Sequence, residues 1–369
     1  MTQPLLSAAL IVRDEEQHLP ACLESLVGVV DEIVVVDTGS RDRSVEIAND
    51  FGARVFEFLW CDDFSAARNH GLDRARGRWI LYIDADERLA PVERAVLEQL
   101  LDDDGVVAYR LWLRPRTLST AYREYRLWRS DPRIRFAGVI HEKVHGALMR
   151  VAAEDRRRIA DCELRLAHVG YDGDQGAKHL RNLPLLEAQL ERDPNDIYNW
   201  HHIGLITVAL GDYARGESAY RRALDLALAR DPPDMRGRLA YSSLLVLLMA
   251  RGEDTRPLAE QAVHHYPQDW ALVWHRAQAY SCAGDWETAL ADLDRLVALD
   301  PERIADHAAY ERSIFAEQAQ ATRGLCLFKL ERYDEAAAAY AAAEREQPDS
   351  EELRVKRQLA AARAHAAYR

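Results

Sequence analysis

The sequence predicts two unlike halves, a parallel α/β domain over residues 1–176 and an all-helical repeat array over residues 177–369. Three observations predict this. From Leu5 to about His168, short continuous apolar runs alternate with helix-period stretches, the rhythm of a parallel sheet covered on both faces. That pattern stops near Gly176, and the rest of the chain is Ala- and Leu-rich, punctuated by Pro, Gly and Asp. Within it, the segments before Pro267 and Pro301 align at an offset of 34 residues, a period that stacks helix pairs into an array.

Leu6 to Val12 reads as a buried strand, followed by Leu19, Leu23, Leu26 and Val27 at helical spacing. Glu32 to Asp37 is β-branched and ends in a carboxylate. Ser40 offers an N-cap for a helix through Val45, Ile47 and Ala48 that Gly52 stops. Arg54 to Phe58 is a third strand, Phe64 to Ala75 a third helix, and Trp79 to Ile83 a fourth strand running into Asp84-Ala85-Asp86. Arg133 to Ile140 is strand-like. Parallel sheets bind ligands at the carboxyl ends of their strands, where Asp37, Asp84 and Asp86 fall.

In the second half, Tyr280, Gly284, Ala289 and Pro301 have tetratricopeptide spacing. Trp200, Gly204, Gly211, Tyr220 and Ala223 form an equivalent unit, as do Gly324, Tyr333, Ala336, Tyr340, Ala343 and Pro348. A weaker unit spans Leu239 to Pro267. Such positions are small where helices cross and large where they interlock. Pro301 and Pro348 are 47 residues apart, so about thirteen extra residues lengthen one connection near residues 304–314. The pairs His201-His202 and His264-His265 point about 100° apart on a helix, cannot easily chelate one ion, and read as residues of the repeat surface. Trp270 and Trp274 read as packing residues or as the wall of a peptide groove.

Composition excludes several functions. The 369 residues carry 48 Lys and Arg against 61 Asp and Glu, a net charge of −13 that argues against nucleic acid or an anionic membrane as the main partner. The longest apolar run, near Leu244 to Ala250, falls short of the ~20 residues that span a bilayer. The N-terminal segment lacks a basic leader, and the five cysteines are scattered without C-x-x-C spacing, which together predict a cytoplasmic protein. One stretch departs from the acidic average. Eight arginines (110, 114, 116, 123, 126, 129, 133 and 135) lie among Trp112, Tyr122, Tyr125 and Trp128. They suit either a strand pair with solvated arginines or the binding of an anionic diphosphate.

Two carboxylates one residue apart at a strand end suit a hard divalent cation, Mg²⁺ or Mn²⁺, although an acidic pair alone equally fits a solvated loop. This pair has company: IVRDEE (11–16), EIVVVDTGSRDRS (32–44), DDFSAARNHGL (62–72), WILYIDADE (79–87), RIRFAGVIHEKV (133–144) and AHVGY (167–171). In this order, the motifs resemble the family 2 glycosyltransferases of GT-A fold, whose first domain is a Rossmann-like nucleotide-sugar-binding unit. The chain resembles in particular the bacterial subgroup that joins this domain to tetratricopeptide repeats and includes peptide (glycocin-type) S/O-glycosyltransferases. One departure is Asp14, where the first motif commonly has an amide.

The resemblance implies a donor site of Ile11, Arg13, Glu15, Asp37, Arg68, Asp84, Ala85 and Asp86. In it Asp37 would meet the nucleotide base, Asp84 the ribose or metal, and Asp86 the metal directly. Arg13 and Arg68 would meet the base edge or diphosphate; a surface helix arginine is the plainer reading of Arg68. His168 would complete the metal shell, against a purely structural histidine. Glu142 would be the base that deprotonates the acceptor, with His141 orienting either Glu142 or the acceptor; a capping or salt-bridging glutamate is the alternative. The implied reaction is metal-dependent, inverting transfer of a hexose from a nucleotide sugar such as UDP-glucose to a Cys or Ser/Thr side chain of a peptide, with Mg²⁺ or Mn²⁺ as cofactor and a homodimer formed through the repeats. Transfer to a cell-envelope or natural-product saccharide is the second enzymatic reading, and a repeat scaffold with an inert first domain the non-enzymatic one.

Overall fold

The computed structural model describes residues 3–115, 119–169, 175–304 and 308–367. Arg116 and the Gly170-Tyr171 end of the last motif lie outside the described residues. The chain divides into two compact units, Met1–Asp174 with Ala305–Ala309, and Gln175–Ile304 with Tyr310–Arg369.

The first unit begins β1 (Leu6–Val12), α1 (Leu19–Leu26), β2 (Glu32–Asp37), α2 (Ser44–Asp50), β3 (Arg54–Glu57), α3 (Phe64–Leu72) and β4 (Trp79–Tyr82). It continues β5 (Glu87–Leu89), α4 (Arg94–Leu101), β6 (Val106–Arg114), β7 (Tyr122–Arg129), α5 (His145–Asp155) and β8 (Arg158–His168). The strands form one sheet in the order β3-β2-β1-β4-β7-β6-β8-β5. Its first four strands are parallel, with Val12 beside Asp37 and Ala9 beside Tyr82, so their carboxyl ends share an edge.

The sheet is mixed rather than wholly parallel. β7 runs antiparallel to both β4 and β6, the pairing that a connection as short as that between Arg114 and Tyr122 permits for consecutive strands. Both faces of β1 are covered: Leu6, Ala8, Leu10 and Val12 pack with Leu19, Cys22, Leu23 and Leu26, and Ala9 packs with Ile80, Trp128 and Leu148. This explains a strand that is apolar but for Ser7, whose buried hydroxyl accepts the Gly77 N–H at 2.8 Å.

Two sequence expectations are corrected. Ser40 does not cap α2, which starts four residues later; its hydroxyl instead accepts the Asp14 backbone N–H at 3.0 Å. Arg133 to Ile140 is not a strand, apart from one bridge between Ala137 and Lys143. Its backbone bonds to α3 instead: the Asn69 side-chain amide donates to the Phe136 carbonyl at 3.0 Å and accepts the Phe136 N–H at 2.9 Å.

The second unit contains α6 (Gln175–Arg192), α7 (Ile197–Ala209), α8 (Tyr213–Leu228), α9 (Gly237–Ala250), α10 (Arg256–His265), α11 (Trp270–Ala283) and α12 (Trp286–Val297). A short 3₁₀ turn at Arg312–Phe315 lies in the lengthened connection before α13 (Glu317–Lys329), α14 (Tyr333–Glu346) and α15 (Glu351–Ala367). Asp196, Asp212, Asp269 and Asp285 each cap a helix by accepting a first-turn backbone N–H. A methyl added at Gly324 would fall 2.7 Å from the Tyr340 ring, so α13 and α14 cross there only because the residue is glycine.

Trp274 is buried in the array's core, which removes it from any exposed groove. The surface reading is corrected for His201, which is buried with its Nε2 3.0 Å from Ser243 Oγ, whereas His264 is exposed. Among the described residues no helix is long and apolar enough to cross a membrane, and all five cysteines are free thiols.

Candidate active site

The carboxyl edge of β1, β2 and β4 gathers the sequence-predicted residues into two groups. In the first, Arg68 of α3 links Asp84 to Glu142: its Nη2 donates to Asp84 Oδ1 at 2.8 Å, and its Nε donates to Glu142 Oε1. Arg68 is 9% exposed, so it is no surface helix arginine. Glu142 reaches it because α3 holds the preceding segment, with Ser65 Oγ donating to the Gly138 carbonyl at 2.6 Å and the Phe64 N–H donating to that of Val139 at 2.9 Å. His141, beside Glu142, has a left-handed backbone with φ 54°.

Asp86 and His168 form the second part of this group, with His168 Nε2 3.3 Å from Asp86 Oδ2. The β5–β8 pairing produces this proximity by setting Glu87 opposite His168, a contact across eighty residues of chain. Ala85, between the two aspartates, is buried, and its carbonyl accepts from Arg88 at 3.0 Å.

Three further residues complete the network, and sequence reasoning gave none of them a role. Arg126 of β7 donates from Nη2 to Glu87 Oε1 at 2.8 Å and holds its Nη1 3.4 Å from Asp84 Oδ2. Tyr82 donates its hydroxyl to the same Asp84 oxygen at 3.2 Å. Glu87 accepts the Asp84 backbone N–H at 2.9 Å. The signals were present, in Tyr82 ending the strand, Glu87 closing D-A-D-E, and Arg126 in the basic stretch. What pairs them is the β4–β7 register, which a sequence does not print.

Five other arginines of the basic stretch pair locally. Arg110 pairs with Asp161, Arg123 with Glu163, Arg129 with Asp104, Arg133 with Asp131 and Asp155, and Arg135 with Asp73. Arg110, Arg123 and Arg129 thus lie on the expected strand pair but are paired and partly buried rather than solvated, and Arg133 and Arg135 lie outside any strand.

Asp37, Arg13 and Glu15 form the second group, at the ends of β2 and β1. Asp37 is buried and accepts the Ser40 N–H at 3.0 Å and the Gly39 N–H at 3.2 Å. The loop after β1 is latched to the one after β2. Asp14 Oδ1 accepts the Arg41 N–H at 2.7 Å, the Glu15 N–H donates to Ser44 Oγ at 2.8 Å, and Glu16 Oε2 accepts the Arg43 N–H at 3.1 Å. Asp14 is left-handed, at φ 55°, a conformation that Asp and Asn tolerate. Arg13 is exposed in this loop. Ile11 lines a small cavity with Phe136 and with Arg68 and Tyr82 of the first group.

The electrostatics are those of a crowded acidic site. Burial pushes Asp84 up, but the guanidiniums of Arg68 and Arg126 outweigh it and hold the carboxyl at about 2. Burial raises Asp86 above the usual carboxylate range, with His168 opposing and the Asp84 charge adding to it. Glu87 is pushed up to about 7, again chiefly by burial, which Arg126 only partly offsets. Among the described residues, Arg68 pairs with Asp84 and Glu142, and Arg126 with Asp84 and Glu87, so carboxylates outnumber the guanidiniums bonded to them and a divalent ion would offset the excess. With carboxylate oxygens and an imidazole nitrogen at its open end, the site fits Mg²⁺ or Mn²⁺ in donor chemistry. Among the described residues no three acidic, His or Cys side chains converge as a closed cage.

Residues 7–156 match glycosyl transferase family 2, and residues 197–229 match the tetratricopeptide repeat. The chain is 36% identical over 257 residues to a TPR repeat-containing protein of Synechococcus elongatus, covering 68% of this chain and 62% of that one. It is 29% identical over 210 residues to the SPbeta prophage-derived glycosyltransferase SunS of Bacillus subtilis, covering 52% of this chain and 47% of that one. The chain thus spans less than two thirds of the length of either relative. The crystal structure of glucosyl-3-phosphoglycerate synthase from Mycobacterium tuberculosis in complex with Mn²⁺ and uridine-diphosphate-glucose aligns with 17% identity and a TM-score of 0.37, over 51% of this chain and 79% of that one.

Proposed function

With residues 7–156 belonging to glycosyl transferase family 2, we propose that the chain is a metal-dependent, inverting glycosyltransferase moving a hexose from a UDP-sugar to a Cys, Ser or Thr side chain of a peptide. The observation that carries this reading is the buried line Glu142–Arg68–Asp84 beside the Asp86–His168 pair, at the strand edge where α/β sheets bind ligands. Asp37, with Ile11, Arg13 and Glu15 beside it, binds the nucleotide base, and Asp84 the ribose. Asp86 and His168 hold Mg²⁺ or Mn²⁺, which when bound offsets the charge that builds on the departing diphosphate. Arg68 meets the diphosphate or base edge from its buried position.

Glu142 is the base. Inversion needs the acceptor oxygen or sulfur to attack the sugar carbon from the side opposite the leaving nucleotide while losing its proton, and the Glu142 carboxylate takes that proton. His141, in its strained backbone conformation, orients the acceptor. The peptide acceptor is supported by the tetratricopeptide array on the same chain and by the resemblance to the peptide-glycosylating subgroup. That array is also the proposed dimer contact.

The test is release of UDP from UDP-sugars, with Mn²⁺ and with a chelator, for wild type and Asp86→Ala. Metal-stimulated release that Asp86→Ala abolishes supports the reading. Release indifferent to both would overturn it.

A further inference from the structure

We propose that Arg126 is a positioning residue that, together with Glu87, fixes the Asp84–Asp86 turn in the geometry that receives the donor; the proposal rests on the donor reading above. The arginines around it in sequence find carboxylates at the surface. Arg126 is 6% exposed, and both its ion-pair partners belong to the turn. The β4–β7 register pairs Ile80 with Trp128 and Leu81 with Leu127, and the next residues along the two strands are Tyr82 and Arg126. The Arg126 guanidinium carbon accordingly lies 4.1 Å from the Tyr82 ring centre, and that of Arg68 lies 4.3 Å from it.

Each Asp84 oxygen is therefore claimed from a different element. Oδ1 takes Arg68 of α3, while Oδ2 takes Tyr82 of β4 and Arg126 of β7. The backbone is tied as well: Glu87 Oε2 accepts the Asp84 N–H, the Glu87 N–H donates to the Asp84 carbonyl at 3.0 Å, and Glu87 Oε1 is held by Arg126. Without Arg126, Glu87 would be a buried carboxylate with no cation, and the turn would lose the strut that sets Asp84 and, two residues on, Asp86. Groups that orient metal- and substrate-binding side chains in this way matter nearly as much as the ligands themselves.

A buried ion pair can also serve the fold alone, so the test must separate the two roles. Neutral or apolar replacement of both members of a buried pair generally preserves folding, whereas removing one does not. Arg126→Met/Glu87→Gln should thus melt cooperatively like wild type, because Gln still accepts the Asp84 N–H. Arg126→Lys provides a second folded variant, keeping the charge while losing the two-pronged grip.

In both, hydrogen exchange of the backbone amides of residues 83–88 should be faster than in wild type, and calorimetric affinity for UDP with Mn²⁺ should drop about ten- to a hundredfold. Exchange and UDP affinity unchanged in two well-folded variants would overturn the proposal and leave Arg126 a pillar of the sheet. Faster exchange in a chain whose wild type binds no UDP would uphold the positioning role and overturn the donor reading instead.

Discussion

Glu142→Gln separates chemistry from binding at this site more cleanly than any other change. Glutamine has the same shape, and its amide oxygen can still accept from Arg68 Nε. Arg68 also keeps its 2.8 Å bond to Asp84, so no buried charge is orphaned. The stability loss is bounded by one charge-assisted hydrogen bond, about 1.5–3 kcal/mol. That stays below the about 3–5 kcal/mol cost of stranding a buried ion. The catalytic loss is larger, because a positioned general base contributes about 10²–10⁴-fold to rate. Initial rates of sugar transfer at saturating donor and acceptor, beside calorimetric donor affinity, should show kcat falling by that factor with donor binding kept. Transfer within about tenfold of wild type, in a variant that folds and binds donor, would refute the assignment of the base.

Further outcomes follow from single contacts. Gly324→Ala drives a methyl into the Tyr340 ring, 3% exposed and unable to retreat, and should destabilise the array by about 1–3 kcal/mol in urea unfolding despite alanine's better helix propensity. Asp14→Asn should leave donor affinity and turnover unchanged, since Asn also tolerates the left-handed backbone and can accept from Arg41; a large loss would give the carboxylate a direct donor role. His275 is held below its usual pKa by burial, with Gln278 and Asp269 pulling the other way, so the unfolded chain takes up its proton first. Its contribution to stability is full above about pH 6.5 and lost as pH falls below that, by up to about 1.4 kcal/mol per unit, and the acid-side drop in melting temperature should shrink in His275→Gln.

Much of this arrangement was legible because it is local. Leu6 to Val12 is apolar at every position except Ser7 since both faces of β1 are covered, and carboxylates end Glu32–Asp37 and follow Trp79–Tyr82 at the shared strand edge. The repeats were readable from pairs such as Gly324 and Tyr340, where one side chain's absence makes room for another. What escaped depends on pairing between distant segments. The antiparallel β6–β7 pair carries no strand-period signature that separates it from a parallel one, and it is the β4–β7 register that brings Arg126 to Asp84 and Glu87. Ser40 has the chemistry of a helix cap, but its hydroxyl meets the Asp14 N–H across the sheet edge before any helix begins. Arg133 to Ile140 has strand composition, yet Asn69 takes the hydrogen bonds of Phe136 that a neighbouring strand would need.

The decisive measurement is intact-mass spectrometry of Cys- and Ser/Thr-containing peptides and of saccharides, incubated with the chain, Mn²⁺ and a panel of nucleotide sugars. A gain of one hexose on a peptide, absent with chelator and with Glu142→Gln, is the expected result. Hexose appearing only on saccharides would contradict the peptide acceptor, and no transfer from any donor to any acceptor would contradict glycosyl transfer by this site.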